Sequence, residues 1–152
     1  MECVLAIGVI AFGFVSIFSL LPVGMGIFRQ AMDYSVGSHI AQLLINEAHQ
    51  TDFDLLTAKS EVAKPVRYFD DQGNERKEAT DPGVVYHVNT LVAPTTTYPG
   101  AAASNASVAT VTIQVANNPG NLPFVLPPGT RLWAVTNRQP LVNYSVLVAR
   151  SK

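Results

Sequence analysis

The sequence begins with an uninterrupted apolar run from Cys3 to Phe28, which carries no charge and is bounded by Glu2 and Arg29. Roughly 20 helical residues, at about 1.5 Å of rise each, span the ~30 Å hydrocarbon layer of a bilayer. The run is longer than the apolar core of about 7–15 residues in a cleaved secretory signal, and it follows an acidic residue instead of a basic one. It therefore predicts a retained membrane anchor.

Beyond Arg29 the apolar positions recur at intervals of three and four, which is the period of a helix with one apolar face. We therefore expect one helix to continue from the anchor to about residue 57. The apolar positions are Met32, Val36, Ile40, Leu43, Leu44 and Ala48.

Pro22 lies inside the apolar run, with Gly24 and Gly26 close behind it. Proline removes one backbone hydrogen bond and clashes with the preceding turn, and glycine lowers the cost of unwinding the helix nearby. We therefore expect a kink or a melted turn at Pro22.

Short runs with a strand period follow from Lys64 onward and are separated by turn residues. They predict an antiparallel sheet that packs on the amphipathic part of the helix. Within Ser107–Ala116 the alternation is regular, so we expect one packed face and one wet face. The strand candidates are Val66–Phe69, the residues from Arg76, Val84–Val92, Ser107–Ala116, Arg131–Thr136 and Asn143–Ala149.

The predicted fold is therefore α+β, with a long N-terminal helix packed against a C-terminal antiparallel β-sheet. Its parts are a membrane-spanning half-helix over residues 1–28, the amphipathic half of the same helix over 29–57, and a β head over 58–152. A chain of 152 residues has room for one modest domain besides the helix. Loops 94–105 and 117–129, rich in Pro, Thr, Ala and Asn, are expected at the surface.

The stretch from Asp70 to Asn74 predicts a hairpin turn in which Gly73 or Asn74 has a positive φ. Its acidic group, Asp70, Asp71 and Glu75, lacks the alternating ligands of a calcium loop, so the turn is the preferred interpretation. Four large aromatic residues fall in strand candidates, where we expect them in the core or at an interface. They are Tyr68, Tyr86, Trp133 and Tyr144.

Charge and residue usage give little support for other classes of function. The net charge is −1 and no basic stripe is present, so a nucleic-acid partner is not expected. Cys3 is the single cysteine, which excludes a disulfide framework. His39 and His49 point about 80° apart on a helix, and His87 lies in a strand candidate. We therefore expect no enzyme, no catalytic residue, no metal and no cofactor.

Glu2 followed by the apolar segment from Val4 to Ala11 resembles the start of type IV pilins and type II secretion pseudopilins. The segments 40–42, 45–48, 51–54 and 67–75 further resemble pilin-like cassette proteins of verrucomicrobial genomes and, more loosely, type IV pilus modification proteins. The likeness is strong over about the first third of the chain. It implies a pilin-like fold with its head outside the bacterial inner membrane, in the periplasm or, after assembly, in an extracellular filament.

The resemblance also implies the partners. These are other copies of the chain or other pilin-like subunits, the inner membrane before assembly, prepilin peptidase and an assembly platform. Met1 occupies the apolar position before the glutamate, where the family has a leader and a cleavage glycine further upstream. A misassigned start, a trimmed chain and an unprocessed copy are the alternatives that this departure leaves open.

The resemblance assigns roles to several residues of the helix. It implies that Glu2 pairs with the N-terminal amine of a neighbouring subunit and registers each new subunit; the alternative is a carboxylate stabilised at the membrane interface by the helix dipole. It implies that Pro22, Gly24 and Gly26 let the helix stretch on assembly; the alternative is a role in packing alone. Small residues allow close approach of helices. Those near the start of the run are Gly8, Ala11 and Gly13.

The sequence thus predicts a structural subunit, a minor pilin or pseudopilin that assembles through its N-terminal helix. One alternative is the major subunit of a homopolymeric extracellular filament. Another, of a different class, is a membrane-tethered periplasmic binding or adhesion module that uses loops 94–105 and 117–129.

Overall fold

The computed structural model describes residues 2–58, 66–95, 107–136 and 139–150, without the side chains of Glu2, Val4, Leu5, Ser16 and Thr95. Its elements are the helices α1 (Glu2–Gln50) and α2 (Phe53–Ala58) and the strands β1 (Arg67–Asp70), β2 (Glu75–Arg76), β3 (Val84–Thr95), β4 (Val108–Asn117) and β5 (Leu141–Ala149). The strands form one antiparallel five-stranded sheet in the order β2-β1-β3-β4-β5. The α+β layout of a long N-terminal helix and an antiparallel sheet is confirmed.

The chain divides into two compact units, Met1–Ser35 and Val36–Lys152. Within the first unit the backbone is helical throughout the described residues, including Pro22, Gly24 and Gly26. Of the two alternatives expected at Pro22, the melted turn is therefore wrong, and the kink stays a prediction. Proline removes one hydrogen bond, but the bonds of the adjacent turns stay in place and the neighbouring Leu21 and Met25 favour the helix.

The prediction of one helix to residue 57 is wrong at its end, because α1 stops at Gln50 and α2 begins at Phe53. The Glu47 carbonyl accepts both the Thr51 N–H at 3.0 Å and the Thr51 hydroxyl at 2.7 Å, and a hydroxyl bonded back in this way bends a helix. The Asp52 carboxylate then accepts the backbone N–H of Asp54 at 2.9 Å and caps the new helix. Polar side chains at the junction therefore turn the chain.

The second unit, which we call the head, has its core between the sheet and the end of α1. Ile40, Leu44 and Ala48 lie one turn apart on the helix and are all buried. They pack in one hydrophobic cluster with alternate residues of the strands. The other members of the cluster are Phe53, Leu56, Phe69, Tyr86, Val88, Val92, Ala109, Val111, Ile113, Val115 and Val148. The predicted amphipathic face thus contributes to the core, although Met32 and Leu43 are exposed.

The hairpin between β1 and β2 forms at the predicted turn, and Gly73 has a φ of 84°. A Cβ at Gly73 would approach the His39 ring to 3.1 Å as well as adopt a disfavoured backbone conformation. Glycine is required here for both reasons.

The opposite face of the sheet is covered in part by residues 118–136, which we call the strap. The prediction that Arg131–Thr136 is a strand is wrong, since this segment is irregular apart from a bridge between Thr136 and Gln139. The expectation of a wet face is also wrong at Gln114, which is 1 % exposed beneath the strap. The alternation of apolar and polar residues indicates that a strand has two different faces, but it does not indicate which segment of the chain covers each face.

Candidate functional site

The apolar residues of the first unit are exposed around the whole helix. From Ile7 to Phe28 the large apolar side chains range from 52 % exposed at Leu21 to 78 % at Phe12. Among the described residues, α1 alone is long and apolar enough to cross a membrane, and none of its most apolar 18-residue window is buried. This surface is the candidate functional site, because an apolar surface of this extent marks contact with lipid or protein.

The small residues predicted for helix packing do not form one stripe. With 3.6 residues per turn, Gly8 and Ala11 lie about 60° apart, whereas Gly13 lies about 160° from Ala11. A Cβ built on Gly8 or Gly13 would meet no heavy atom of the described chain within 4 Å. These positions therefore allow close approach by other helices, but from two different sides.

A groove of about 440 Å³ follows one side of α1 around Gly24. Gly24 lies among these lining residues and contributes no side chain, so its neighbours form the walls. Gly26 lies about 160° away on the helix and does not line the groove. The lining residues are Ile17, Leu20, Leu21, Gly24, Met25, Phe28 and Arg29.

The sequence reasoning missed this groove. It treated Gly24 and Gly26 together as residues that loosen the helix near Pro22. The spacing of Ile17, Leu21, Gly24 and Phe28, at intervals of three and four, was the signal that places a glycine among large side chains on one side.

Glu2 is the first residue of α1, and its side chain lies outside the described part of the structure. The role implied for Glu2 by the family resemblance stays a prediction.

Two ion pairs within the head tie its helices to the sheet. Arg67 donates to both carboxylate oxygens of Glu75, at 2.6 and 2.7 Å, and to Glu47 on α1 at 2.5 Å. The hydrogen bond to Glu75 raises the pKa of Arg67 above its ordinary value, and Arg67 in turn lowers the pKa of Glu75. Arg150, just beyond β5, pairs with Asp54 on α2.

The acidic hairpin uses its buried carboxylate within the turn itself. Asp70 accepts the backbone N–H groups of Gln72 and Asn74 at 3.0 and 2.8 Å, the Asn74 amide at 3.1 Å and the Arg76 guanidinium at 2.9 Å. Burial alone raises the pKa of Asp70, but these donors outweigh it and hold the pKa at about 2. Gly73 completes the turn. The carboxylate oxygens are thus occupied, as the hairpin interpretation predicts.

The histidines occupy two environments. His39 and His49 are exposed on α1, whereas His87 on β3 is 3 % exposed beneath the strap. Burial lowers the pKa of His87. In the part of the chain that the structure describes, no three His, Cys, Asp or Glu side chains gather closely enough to hold a metal ion.

A row of side-chain amides fastens the strap to the sheet. Asn89, Gln114 and Asn143 are paired across β3, β4 and β5. Gln114 accepts from Asn89 at 3.1 Å and from the backbone N–H of Trp133 at 2.7 Å, and it donates to Asn143 at 3.1 Å. Asn89 also donates to the carbonyl of Arg131 at 2.9 Å. A buried polar network of this kind fixes one position of the strap.

Comparisons with known proteins give no match: no family model fits the chain, and no characterised protein or solved structure is significantly similar to it. The case for a function therefore depends on the residues and on the geometry described above.

Proposed function

We propose that the chain is a pilin-like structural subunit, a minor pilin or a pseudopilin, that assembles through α1 into a type IV pilus or a type II secretion-like filament. The observation that carries the proposal is the exposure of every large apolar side chain described between Ile7 and Phe28. Full burial of a single Leu, Ile or Phe stabilises by about 1.5–3 kcal/mol. A helix with so many of them exposed must be covered by lipid or by other helices.

Two successive environments satisfy this requirement. Before assembly the apolar stretch of α1, up to Phe28, lies in the bacterial inner membrane with the head in the periplasm, and after assembly this stretch lies among the helices of sister subunits. Lipid tails are as apolar as leucine, so exchange between the two environments is governed by close packing and polar pairing instead of by the hydrophobic effect. Gly8, Ala11 and Gly13 contribute to that packing on more than one side of α1, as a multi-helix core requires.

The groove around Gly24 supplies a seat for a side chain of a second copy. Its walls, which include Leu20, Leu21 and Phe28, are apolar, so the fitting occupant is an equally apolar helix. The side chains of Phe14 and Phe18 are apolar and exposed, so on a second copy they are suited to insert into the groove as knobs. Helix packing through this groove is the role that we propose for Gly24.

Glu2 sets the register of assembly in this proposal. A carboxylate at the head of an apolar helix is costly in hydrocarbon unless it is paired. Its partner is the N-terminal amine of the neighbouring subunit, so that pairing is possible only when a new subunit has reached its correct position. Prepilin peptidase and an assembly platform are the further partners in this proposed assembly.

Electron microscopy of the purified full-length chain tests the proposal, with Glu2→Ala compared with the wild type and with Asp33→Ala as a control charge removed from the exposed surface of α1. We expect filaments, although not abundant ones, from the wild type and from Asp33→Ala, and none from Glu2→Ala. Filaments of normal abundance and geometry from Glu2→Ala would remove the registration role. A wild-type chain that stays monomeric at high concentration in detergent would contradict assembly itself.

A membrane-tethered binding module is the second candidate. The observation in its favour is the first part of the strap, residues 118–130, where Leu122, Val125 and Leu126 are each about half exposed and no residue is charged. This function predicts a monomer in detergent, and it predicts that Glu2→Ala has no effect. A major subunit of a homopolymer is distinguished from a minor one by the same micrographs, since abundant filaments of the single chain favour the major role.

A further inference from the structure

We propose that His87 makes the strap an acid-sensitive latch: protonation of its ring below about pH 6.5 releases residues 118–136 from the sheet while the core between α1 and the sheet stays folded. The inference concerns the head alone and is independent of how the N-terminal helix assembles.

The first observation is the cage around the His87 ring. Tyr68 on β1 meets it edge-on with 5.0 Å between ring centroids, and Phe124 of the strap lies against it at 5.6 Å. Phe124 stacks in turn on Trp133, with 3.8 Å between centroids and 7° between planes. The strap therefore closes over His87 through an aromatic pair.

The second observation is an unpartnered nitrogen inside this cage. His87 Nε2 is buried and has no hydrogen-bond partner among the described residues. A neutral imidazole can leave one nitrogen without a proton, but an imidazolium carries N–H groups on both nitrogens. Protonation would thus create a buried charged donor with no acceptor, which is strongly unfavourable while the strap is closed.

The charged groups on the surrounding elements do not offer that acceptor. On β1 the neighbour is the Tyr68 phenol ring, and Arg76 lies opposite Tyr68 on β2 with its guanidinium bound to Asp70. On β4 the residue paired with His87 is Ala116. The strap contributes the cation Arg131. The Asp70 carboxylate is already paired with Arg76 and with the Asn74 amide.

The sign of the pH dependence follows from these contacts. Burial lowers the pKa of His87 in the closed head, whereas the ring has an ordinary pKa of about 6.5 once the strap has opened. Above that pH both forms are neutral and the latch is indifferent to pH. Below it, opening takes up a proton, so the ratio of open to closed heads rises by up to about tenfold per pH unit until the closed form also protonates.

The strap can open on its own because its attachments differ from those of the core. Asn89 and Gln114 hold it by side-chain hydrogen bonds on one face of the sheet, whereas Ile40 and Leu44 pack on the opposite face. Segments held by few apolar contacts open at lower free energy than the core that supports them.

Trp133 is the single tryptophan of the chain and lies in the latch, so its fluorescence reports opening directly. The experiment follows Trp133 emission and far-UV circular dichroism of the full-length chain in detergent from pH 7.5 to 4.5. We expect a red shift of the emission below about pH 6.5 with the circular dichroism unchanged. His87→Phe keeps an aromatic ring in the cage, and we expect it to abolish the shift; His49→Phe removes an exposed histidine and should retain it.

A wild-type shift that persists in His87→Phe would overturn the proposal, as would a shift that coincides with loss of circular dichroism or no shift at all. Should His87→Phe fail to fold, the wild-type His87 ring is titrated by NMR beside Phe124→Ala, which removes the strap side of the cage. We expect the pKa of His87 to lie below the ordinary value of about 6.5 in the wild type and close to that value in Phe124→Ala. Equal or higher values for wild-type His87 would show that the cage holds the imidazolium and that the latch does not exist.

Discussion

The two stretches of α1, before and after Ser35, contain the same kinds of residues in opposite environments. Ile10 is 58 % exposed and Ile40 is fully buried; Leu20 is 68 % exposed and Leu44 is 5 % exposed. In the later stretch the apolar residues keep to one face, which a single sheet can cover. In the earlier stretch they surround the helix, and no one layer covers a helix from all sides.

Apolar residues of one helix can therefore have two roles, stabilising the fold in one stretch and contacting lipid or other helices in another. The later stretch contributes to the free energy of folding of the head, because its side chains leave water when the head folds. The earlier stretch contributes to localisation and, in our proposal, to assembly. Substitutions in the two stretches should therefore change different measurements.

The largest expected effect is on solubility. A variant that lacks residues 2–30 should stay in solution without detergent, whereas the full-length chain requires a micelle. Because the described side chains of this stretch are exposed, the free energy of unfolding of the head should change by less than about 0.5 kcal/mol, measured by urea denaturation in one detergent buffer. A head that no longer folds would show that the earlier stretch belongs to the same folding unit.

Matched isoleucine substitutions compare the two stretches directly. Ile40→Ala should destabilise the head by about 3 kcal/mol, since it leaves a cavity in the core. Ile10→Ala removes the same atoms from an exposed position and should leave the unfolding free energy unchanged. Equal losses in the two variants, measured by urea denaturation followed by circular dichroism, would contradict the division of roles.

Acid titration tests how much Asp70 contributes to the stability of the head. The folded pKa of Asp70 is about 2, below its ordinary value of 3.8, so its stabilising contribution is present above pH 4 and is lost as the pH falls from 4 towards 2. Asp70→Asn should lose about 2 kcal/mol at pH 7, where hydrogen bonds to a charged group are broken. It should also show a weaker dependence on pH between 4 and 2, and parallel curves for the variant and the wild type would refute the assignment.

The smallest effect concerns the groove. Gly24→Leu fills it, and Gly26→Leu adds the same side chain on the other side of the helix. We expect Gly24→Leu to weaken self-association by about 1 kcal/mol per contact, seen by sedimentation in detergent, because packing between apolar helices depends on close fit. Gly26→Leu should have the smaller effect. The reverse order would show that the groove is not the packing side.

Sequence reasoning located the long helix, most of the strands and the Gly73 turn, because each depends on local periodicity or local backbone geometry. It was wrong about Arg131–Thr136, whose apolar and aromatic residues suggested a strand. Trp133 is instead held by Gln114, a contact between residues on separate segments. It also missed the latch, since nothing near His87 in the sequence indicates that Phe124 lies against its ring.

The order of residues alone determines that the first third of this protein is helical, apolar from Cys3 to Phe28 and amphipathic beyond Arg29, because length, charge and period are properties of the local chain. Only the tertiary structure decided which polar residues are buried. Gln114 and His87 lie on the strand face that alternation alone would leave to water, and the strap covers both. Burial of these residues depends on contacts between segments far apart in the sequence, and a local pattern does not indicate which distant segment packs on a given face.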